Sequence, residues 1–345
     1  MFKRILFIGL GGAGQRHLRL FKKNTSSDTE LIAYRSTSKT PLLNPDFTVN
    51  KSKSLEELYG VKIFEKLGDA IASKPDLAVI STPSSLHMEY AQICAENGIN
   101  IFIEKPLSHS LEGFKLLEDT VLKNKLLLKV GFQRRFHPHF ANIKKLIDSG
   151  TMGSITNVLI NVASYIPYWH PYENYLDLYA CQKKLGGGVL LTEIHEFDLC
   201  VWYFGSPISV SCIGGTYSDV EMDVEDTVHV TLCYEKFSIQ INLTFWQKIA
   251  QRSFLIAGEK QSASWNQEDN NLKVFDHIKQ STILNESINS SADLMFDRQI
   301  KDILKFNGPN ESSLNILDSK TSISIVLAAK KSMDEERLIY LSEVV

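Results

Sequence analysis

The sequence predicts an α/β protein of two domains, a doubly wound parallel sheet over residues 1–130 followed by a second α/β domain over residues 131–345. Three observations lead there. Short runs that are apolar on both faces alternate with segments of helical periodicity through the first third, as in a parallel sheet covered on both sides. After about residue 131 the texture changes to longer alternating stretches with few helices between them, which predicts an antiparallel or mixed sheet. Between the first strand and the first helix stands a cluster of glycines, Gly9-Leu10-Gly11-Gly12-Ala13-Gly14.

Lys3 to Ile8 is the first apolar run, and Leu18 and Phe21 continue from Gly14 at helical spacing. Further strands are expected at Leu31–Tyr34, Asp76–Ile80, Ile99–Ile103 and Leu126–Val130, with helices at Leu86–Glu96 and Leu111–Lys123. In the second domain, Phe140–Ser149 reads as a helix. Ser154–Tyr165, Val210–Tyr217, Thr227–Tyr234 and the eleven alternating residues Phe237–Gln247 read as strands with one buried and one wet face. Asn270–Ser291, polar and rich in Asn and Ser, is expected to form a hairpin with mobile loops. Ser313–Met333 carries Leu314, Leu317, Ile323, Val326, Leu327 and Met333 at helical intervals and reads as a terminal helix that packs back on the first domain.

Composition excludes several classes of function. The 345 residues are 43% hydrophobic and 22% charged with a formal net charge of -3, so the chain lacks the basic signature of a nucleic-acid or anionic-membrane binder. No apolar run approaches the roughly 20 residues that span a bilayer, and no secretory h-region follows Met1, so a cytoplasmic protein is expected. The five cysteines are scattered among apolar neighbours without metal-site spacing and read as reduced core residues; no metal site is expected.

The glycine cluster matches Gly-x-Gly-x-x-Gly in the setting that gives the pattern its meaning, after a strand and opening a helix. Gly9 makes the tight turn, Gly11 with Gly12 and Ala13 lets backbone approach a pyrophosphate, and Gly14 permits close helix packing, as in a Rossmann domain. At the end of the second strand, where a carboxylate ordinarily binds the ribose of NAD(H), the sequence reads Ala33-Tyr34-Arg35-Ser36-Thr37-Ser38. A guanidinium with hydroxyls suits a 2'-phosphate, so Arg35 and Ser36 predict NADP(H) in preference to NAD(H). The alternative is that Arg35 stacks on adenine or faces solvent, and NAD(H) is then tolerated.

Three further motifs follow: Ser81-Thr82-Pro83-Ser84-Ser85-Leu86-His87, Glu104-Lys105-Pro106, and Gly186-Gly187-Gly188 leading through Thr192 and Glu193 to His195-Glu196-Phe197-Asp198. Together with the N-terminal glycines, they resemble the glucose-fructose oxidoreductase / inositol dehydrogenase / MocA (Gfo/Idh/MocA) family over nearly the whole chain. The resemblance implies a Rossmann domain and a C-terminal domain whose large open, mostly antiparallel sheet often forms the oligomer interface, here a homodimer or homotetramer. It also implies an active site in the cleft between the domains. Carried over, Lys105 and His195 flank the reacting carbon of a sugar, sugar nucleotide or polyol, with Thr82, Pro83, His87, Glu104 and Arg134 on the cofactor side. The chemistry is coherent, because removing a hydride from an alcohol requires a base for the hydroxyl proton and a cation for the developing negative charge. Members that use bound NAD to hydrolyse glycosides, and non-enzymatic regulators that sense a dinucleotide, are the alternatives.

One departure stands out. Thr192 occupies the position where many members carry an aspartate, leaving Glu193, Glu196 and Asp198 as candidate replacements. The Thr-x-x-His-Glu-x-Asp variant resembles members from surface-polysaccharide and sialic-acid-like sugar pathways. On the substrate side, Arg134 and Arg135 in Gly131–Pro138 each suit a phosphate or carboxylate, or else one of them pairs with an acidic residue across the domain joint. The aromatic segment Tyr165–Tyr175, with Tyr165, Trp169 and Tyr175, suits the C–H faces of a sugar or, alternatively, an oligomer contact.

Overall fold

The structure is a computed structural model that describes residues 2–36, 40–289, 291, 293–306 and 313–344, the side chains of 313–315 excepted. Thr37 and Ser38 of the expected 2'-phosphate site and the side chain of Leu314 therefore lie outside the described residues. The first domain runs β1 (Arg4–Ile8), α1 (Gly12–Asn24), β2 (Glu30–Tyr34), α2 (Leu55–Tyr59), β3 (Lys62–Phe64), α3 (Leu67–Ala72), β4 (Leu77–Ile80), α4 (His87–Glu96), β5 (Asn100–Ile103), α5 (Phe114–Lys123) and β6 (Leu128–Val130). Its parallel sheet has the order β3-β2-β1-β4-β5-β6, with the chain reversing direction across the sheet between β1 and β4. Ligands of open α/β sheets bind at such a point, outside the carboxyl ends of the strands. The two-sided apolar character of the strands has a direct counterpart in packing: Leu6 and Ile8 of β1 enter one hydrophobic core, whereas Ile5 and Phe7 enter the other.

The second domain contains α6 (Pro138–Asp148), β7 (Ile155–Tyr165), α7 (Val189–Thr192), α8 (His195–Phe204), β8 (Ser209–Gly215), β9 (Thr227–Cys233), β10 (Ser238–Thr244) and β11 (Trp246–Gly258). It continues through β12 (Gln261–Asn266), β13 (Asn271–Asp276), β14 (Ser281–Ser287), α9 (Leu294–Leu304), α10 (Ser313–Glu335) and β15 (Ile339–Tyr340). Its nine-stranded sheet has the order β14-β13-β12-β11-β7-β10-β9-β8-β15, antiparallel except where β10 lies parallel to β7. The expected single strand Phe237–Gln247 is in fact two. The chain leaves β10 at Phe245, whose amide bonds the Asp226 carbonyl, and crosses the end of β7 to enter β11 on its other side. Alternation persists through the crossing, so sequence pattern alone does not reveal it.

Helix α9 packs on α1, and α10 lies between β6 with α5 on one side and β8 with α8 of the second domain on the other. Phe296, Ile300 and Ile303 of α9 join the core that holds Phe7 and Phe21 of β1 and α1, while Ile323, Val326 and Ala329 of α10 join the core beneath α4 and α5. Arg19 and Lys23 of α1 also pair with Asp293 and Asp297 at the start of α9. The domains are thus joined by shared apolar burial, which positions their facing residues. All five cysteines are free thiols, four of them buried. None of the described helices is long and apolar enough to cross a membrane.

Candidate active site

The turn after β1 has the form that a dinucleotide requires. Gly9 sits at φ +89°, and a Cβ on Gly14 would lie 2.2 Å from the Gly9 carbonyl oxygen, so helix and turn approach more closely than any side chain allows. A Cβ on Gly11 would meet nothing within 4 Å, which leaves that backbone open to a ligand. Ala13 is exposed beside it. At the carboxyl end of β4 the hydroxyls of Ser81 and Thr82 are buried without partners. The open backbone at Gly11 and the orphaned hydroxyls beside it are groups a pyrophosphate and its ribose would satisfy, so the residues present fit a dinucleotide.

An unexpected cover lies over this turn. Tyr172, from the loop after β7, sets its hydroxyl against Gly12, where a Cβ would lie 3.0 Å from that oxygen. Its ring stacks on His170, and His170 stacks on Phe47 at 5.6 Å. The aromatic segment therefore reaches the glycine turn through Tyr172. Trp169 packs edge-on against Phe245 at 5.0 Å, Tyr165 lies against Tyr168 and Trp246, and Tyr175 is half-buried against the core.

At the end of β2 Arg35 is half-buried, and its Nη2 donates to the Thr40 carbonyl at 2.7 Å; Ser36 is exposed. Burial draws the guanidinium below its ordinary value against the pull of Glu56.

His87, expected on the cofactor side, instead braces two loops. It is buried, with Nδ1 at 2.6 Å from the Pro106 carbonyl and Nε2 at 2.8 Å from that of Thr82. Both ring edges are thereby occupied, and the ring fixes the loop of Thr82 and Pro83 against Glu104-Lys105-Pro106. Glu104 is likewise engaged, with Oε1 2.6 Å from His17 Nε2 of α1 and Oε2 accepting the Lys105 amide. Burial alone would raise its carboxyl, but His17 and Lys105 outweigh burial and hold it below the usual range.

Lys105 follows β5 across a cis peptide to Pro106 and crosses the cleft, its Nζ donating to the Thr192 carbonyl at 2.7 Å. That bond brings the two motifs together. Burial opposes the ammonium, yet Tyr179, Glu193 and Glu104 outweigh burial and Arg134, so Lys105 holds its proton above the ordinary lysine value. His195 begins α8, and its Nε2 receives the Gln133 side-chain amide at 3.1 Å while Nδ1 is buried without a partner. With Gln133 donating to Nε2, the ring's proton sits on Nδ1. Burial, then the charges of Lys105 and Arg134, hold the ring well below its ordinary value, so His195 is a neutral imidazole.

Arg134 and Arg135 have different fates. Arg134 turns toward the cleft, its Nε buried without a hydrogen bond 4.0 Å from Glu196. Arg135, expected on the substrate, is a structural tie instead: its fork bonds Asp198 of α8 at 2.9 and 2.6 Å, and Nη1 bonds Asp318 of α10 at 2.8 Å. That engagement leaves Asp198 no role at His195.

None of the three candidate replacements for the missing aspartate bonds His195. Glu193 and Glu196 face Arg252 of β11, at 2.6 and 3.0 Å. Burial raises both carboxyls, that of Glu196 to about 8. The hydroxyl of Thr192 is buried and unpartnered. Sequence reading missed Gln133, Tyr179, Tyr172 and Arg252. Arg252 alone left a signal, since it shares the inward phase of β11 with Phe254 and Ile256, where a charge demands a buried partner. Among the described residues no cluster of His, Cys, Asp and Glu is arranged to hold a metal ion.

A Rossmann turn facing a lysine and a histidine from two domains is an arrangement that dinucleotide-dependent oxidoreductases use. Residues 3–132 match the family described as "Oxidoreductase family, NAD-binding Rossmann fold", and residues 140–264 match "GFO/IDH/MocA C-terminal domain". The chain belongs to the Gfo/Idh/MocA family. It is 28% identical over 222 residues to inositol 2-dehydrogenase of Rhizobium meliloti, an alignment covering 64% of this chain and 60% of the relative's length. Its fold is shared with levoglucosan dehydrogenase in complex with NADH, at TM-score 0.80 and 19% identity over 98% of each chain. It is also shared with the WlbA dehydrogenase from Bordetella pertussis in complex with NADH and UDP-GlcNAcA, at TM-score 0.77 and 20% identity over 99% of each.

Proposed function

We propose that the protein transfers a hydride between a nicotinamide dinucleotide, NADP(H) in preference to NAD(H), and a hydroxyl or ketone carbon of a sugar, sugar nucleotide or polyol. The observation that carries this reading is the convergence of Lys105, from the first domain, with Thr192 and His195 of the second. The relatives' names, inositol 2-dehydrogenase and levoglucosan dehydrogenase, and the UDP-GlcNAcA bound to a third, support a polyhydroxylated substrate.

Hydride exchange is the chemistry a bound dinucleotide supplies. Lys105 manages the proton: its ammonium donates to the substrate oxygen during reduction, and its neutral amine takes the hydroxyl proton during oxidation. His195, held neutral, gives the same oxygen a second hydrogen bond from Nδ1, and Gln133 fixes the tautomer. The charge distribution supports giving the proton to Lys105 and orientation to His195. The NADP(H) preference rests on Tyr34-Arg35-Ser36, which stands where a carboxylate would repel a 2'-phosphate. Self-association as a homodimer or homotetramer through the uncovered sheet face, where Ile213, Leu255 and Phe275 are exposed, belongs to the same reading.

A screen of polyols and sugar nucleotides with all four nicotinamide forms, followed by nicotinamide absorbance, tests the proposal. Turnover by the wild type is expected, and Lys105→Met should lose about 100-fold or more in kcat while still binding dinucleotide. Absence of turnover with every substrate would favour a dinucleotide sensor, and sugar release without net cofactor reduction would favour glycoside hydrolysis. A clear preference for NADH in kcat/KM would overturn the cofactor assignment.

A further inference from the structure

Arg252 reaches the cleft floor from the middle of the large sheet. Its side chain and those of Glu193 and Glu196 are all at most 10% exposed, with Nη2 at 2.6 Å from Glu193 Oε2 and Nη1 at 3.0 Å from Glu196 Oε1. A buried ion cluster is weak support for stability, because an apolar replacement of similar volume often holds a fold as well. Its place in the cleft offers a better account. Glu193 directly follows Thr192, the residue whose carbonyl receives Lys105 Nζ.

The groups that act on Lys105 come from four elements: Tyr179 from the loop after β7, Glu193 from between α7 and α8, Glu104 from the end of β5, and Arg134 from the turn after β6. Tyr179 contributes a phenol and no carboxylate. Glu104 is committed to His17 and to the Lys105 amide, and Arg134 opposes the ammonium. Glu193 is left as the anion contributed by the second domain, and its shorter contact with Arg252 draws the charge of the carboxyl pair onto it. Building on the assignment of proton transfer to Lys105, we propose that Glu193, anchored by Arg252, is the positioning residue that replaces the aspartate missing at Thr192, and that it acts on Lys105 and not on His195.

The test is competitive acylation of the Lys105 amine by acetic anhydride across alkaline pH. It is read by mass spectrometry on the full chain, with exposed lysines such as Lys125 as internal standards. The labelling midpoint depends on protonation and not on access. In Glu193→Gln it should fall by about one pH unit, a tenfold gain in free amine at fixed pH. A fall of less than about half a unit in a variant with wild-type circular dichroism overturns the proposal. If that variant does not fold, Glu193→Asp, whose carboxylate is drawn back by one methylene, must lower the midpoint by at least about half a unit. A parallel pH–rate profile should move its lysine limb in the same direction with KM unchanged. If the wild type turns over no substrate, the oxidoreductase reading fails while the labelling result stands by itself.

Discussion

Replacing Arg135 by Met separates a structural tie from a ligand contact. In the structure the guanidinium makes three bonds, two to Asp198 and one to Asp318, and the Asp198 side chain is fully buried. Burial holds the Asp198 carboxyl up at about 6 even with Arg135 beside it. Removing the cation strands that carboxyl in an apolar setting, and breaking a buried pair in this way costs about 3–5 kcal/mol. For a chain of this length unfolding as one unit, that loss corresponds to a fall in Tm of about 4–7 °C.

The loss should depend on pH in a defined sense. A carboxyl whose folded-state value is raised leaves stability intact below its unfolded value and erodes it as pH climbs toward the folded one. Without Arg135 the folded value climbs further, so the deficit is largest at pH 7 and above and shrinks toward pH 5, where Asp198 takes up a proton. Arg135→Met combined with Asp198→Leu should recover most of the stability, since the charge and its partner leave together. Thermal melts at pH 5 and 8, alongside substrate KM, are the assay. A single variant that melts within about 1 °C of wild type but raises KM about tenfold would refute the structural assignment and return Arg135 to the substrate.

Two further outcomes follow from the site. Gly14→Ala places a methyl 2.2 Å from the Gly9 carbonyl oxygen, backbone that cannot step aside without opening the turn; dinucleotide affinity measured by fluorescence titration should fall at least about 100-fold, and near-wild-type binding would contradict the close approach. Because Lys105 is held above the ordinary lysine value and His195 well below the ordinary histidine value, ketone reduction should stay level from neutral into mildly alkaline pH while alcohol oxidation keeps rising. An oxidative profile that is already level from neutral pH upward, its limb lying below the ordinary histidine range, would assign the proton to His195 instead.

Much of the architecture was legible before any coordinates. The strand and helix periods of the first domain, the glycine turn and the lysine and histidine motifs are local patterns, and each element appears where its pattern lies. Elements β3, α2 and α3 escaped notice because they are three to six residues long, too short to show a period. Helix α9 escaped because its apolar residues are interleaved with charges, some of which find partners on α1 and β6, far away in the chain. The structural ties of His87 and Arg135 went unread for one reason: a polar side chain in a motif segment reads as a ligand contact until its protein partners are seen. For His87 these are carbonyls on two loops, and for Arg135 they are carboxylates 63 and 183 residues away in the chain.

The sequence by itself determined that a dinucleotide turn opens the chain, that a second, sheet-based domain follows, and where the lysine and histidine motifs stand. Those features are written in contiguous residues whose spacing has a local physical meaning. Only the tertiary structure decided how the charges are shared: Arg252 meets Glu193 across 59 residues, Lys105 meets Thr192 across 87, and Tyr172 covers Gly12 from the other domain. Such pairings depend on sheet register and on how two hydrophobic cores seat one domain against the other, and no window along the chain contains both partners.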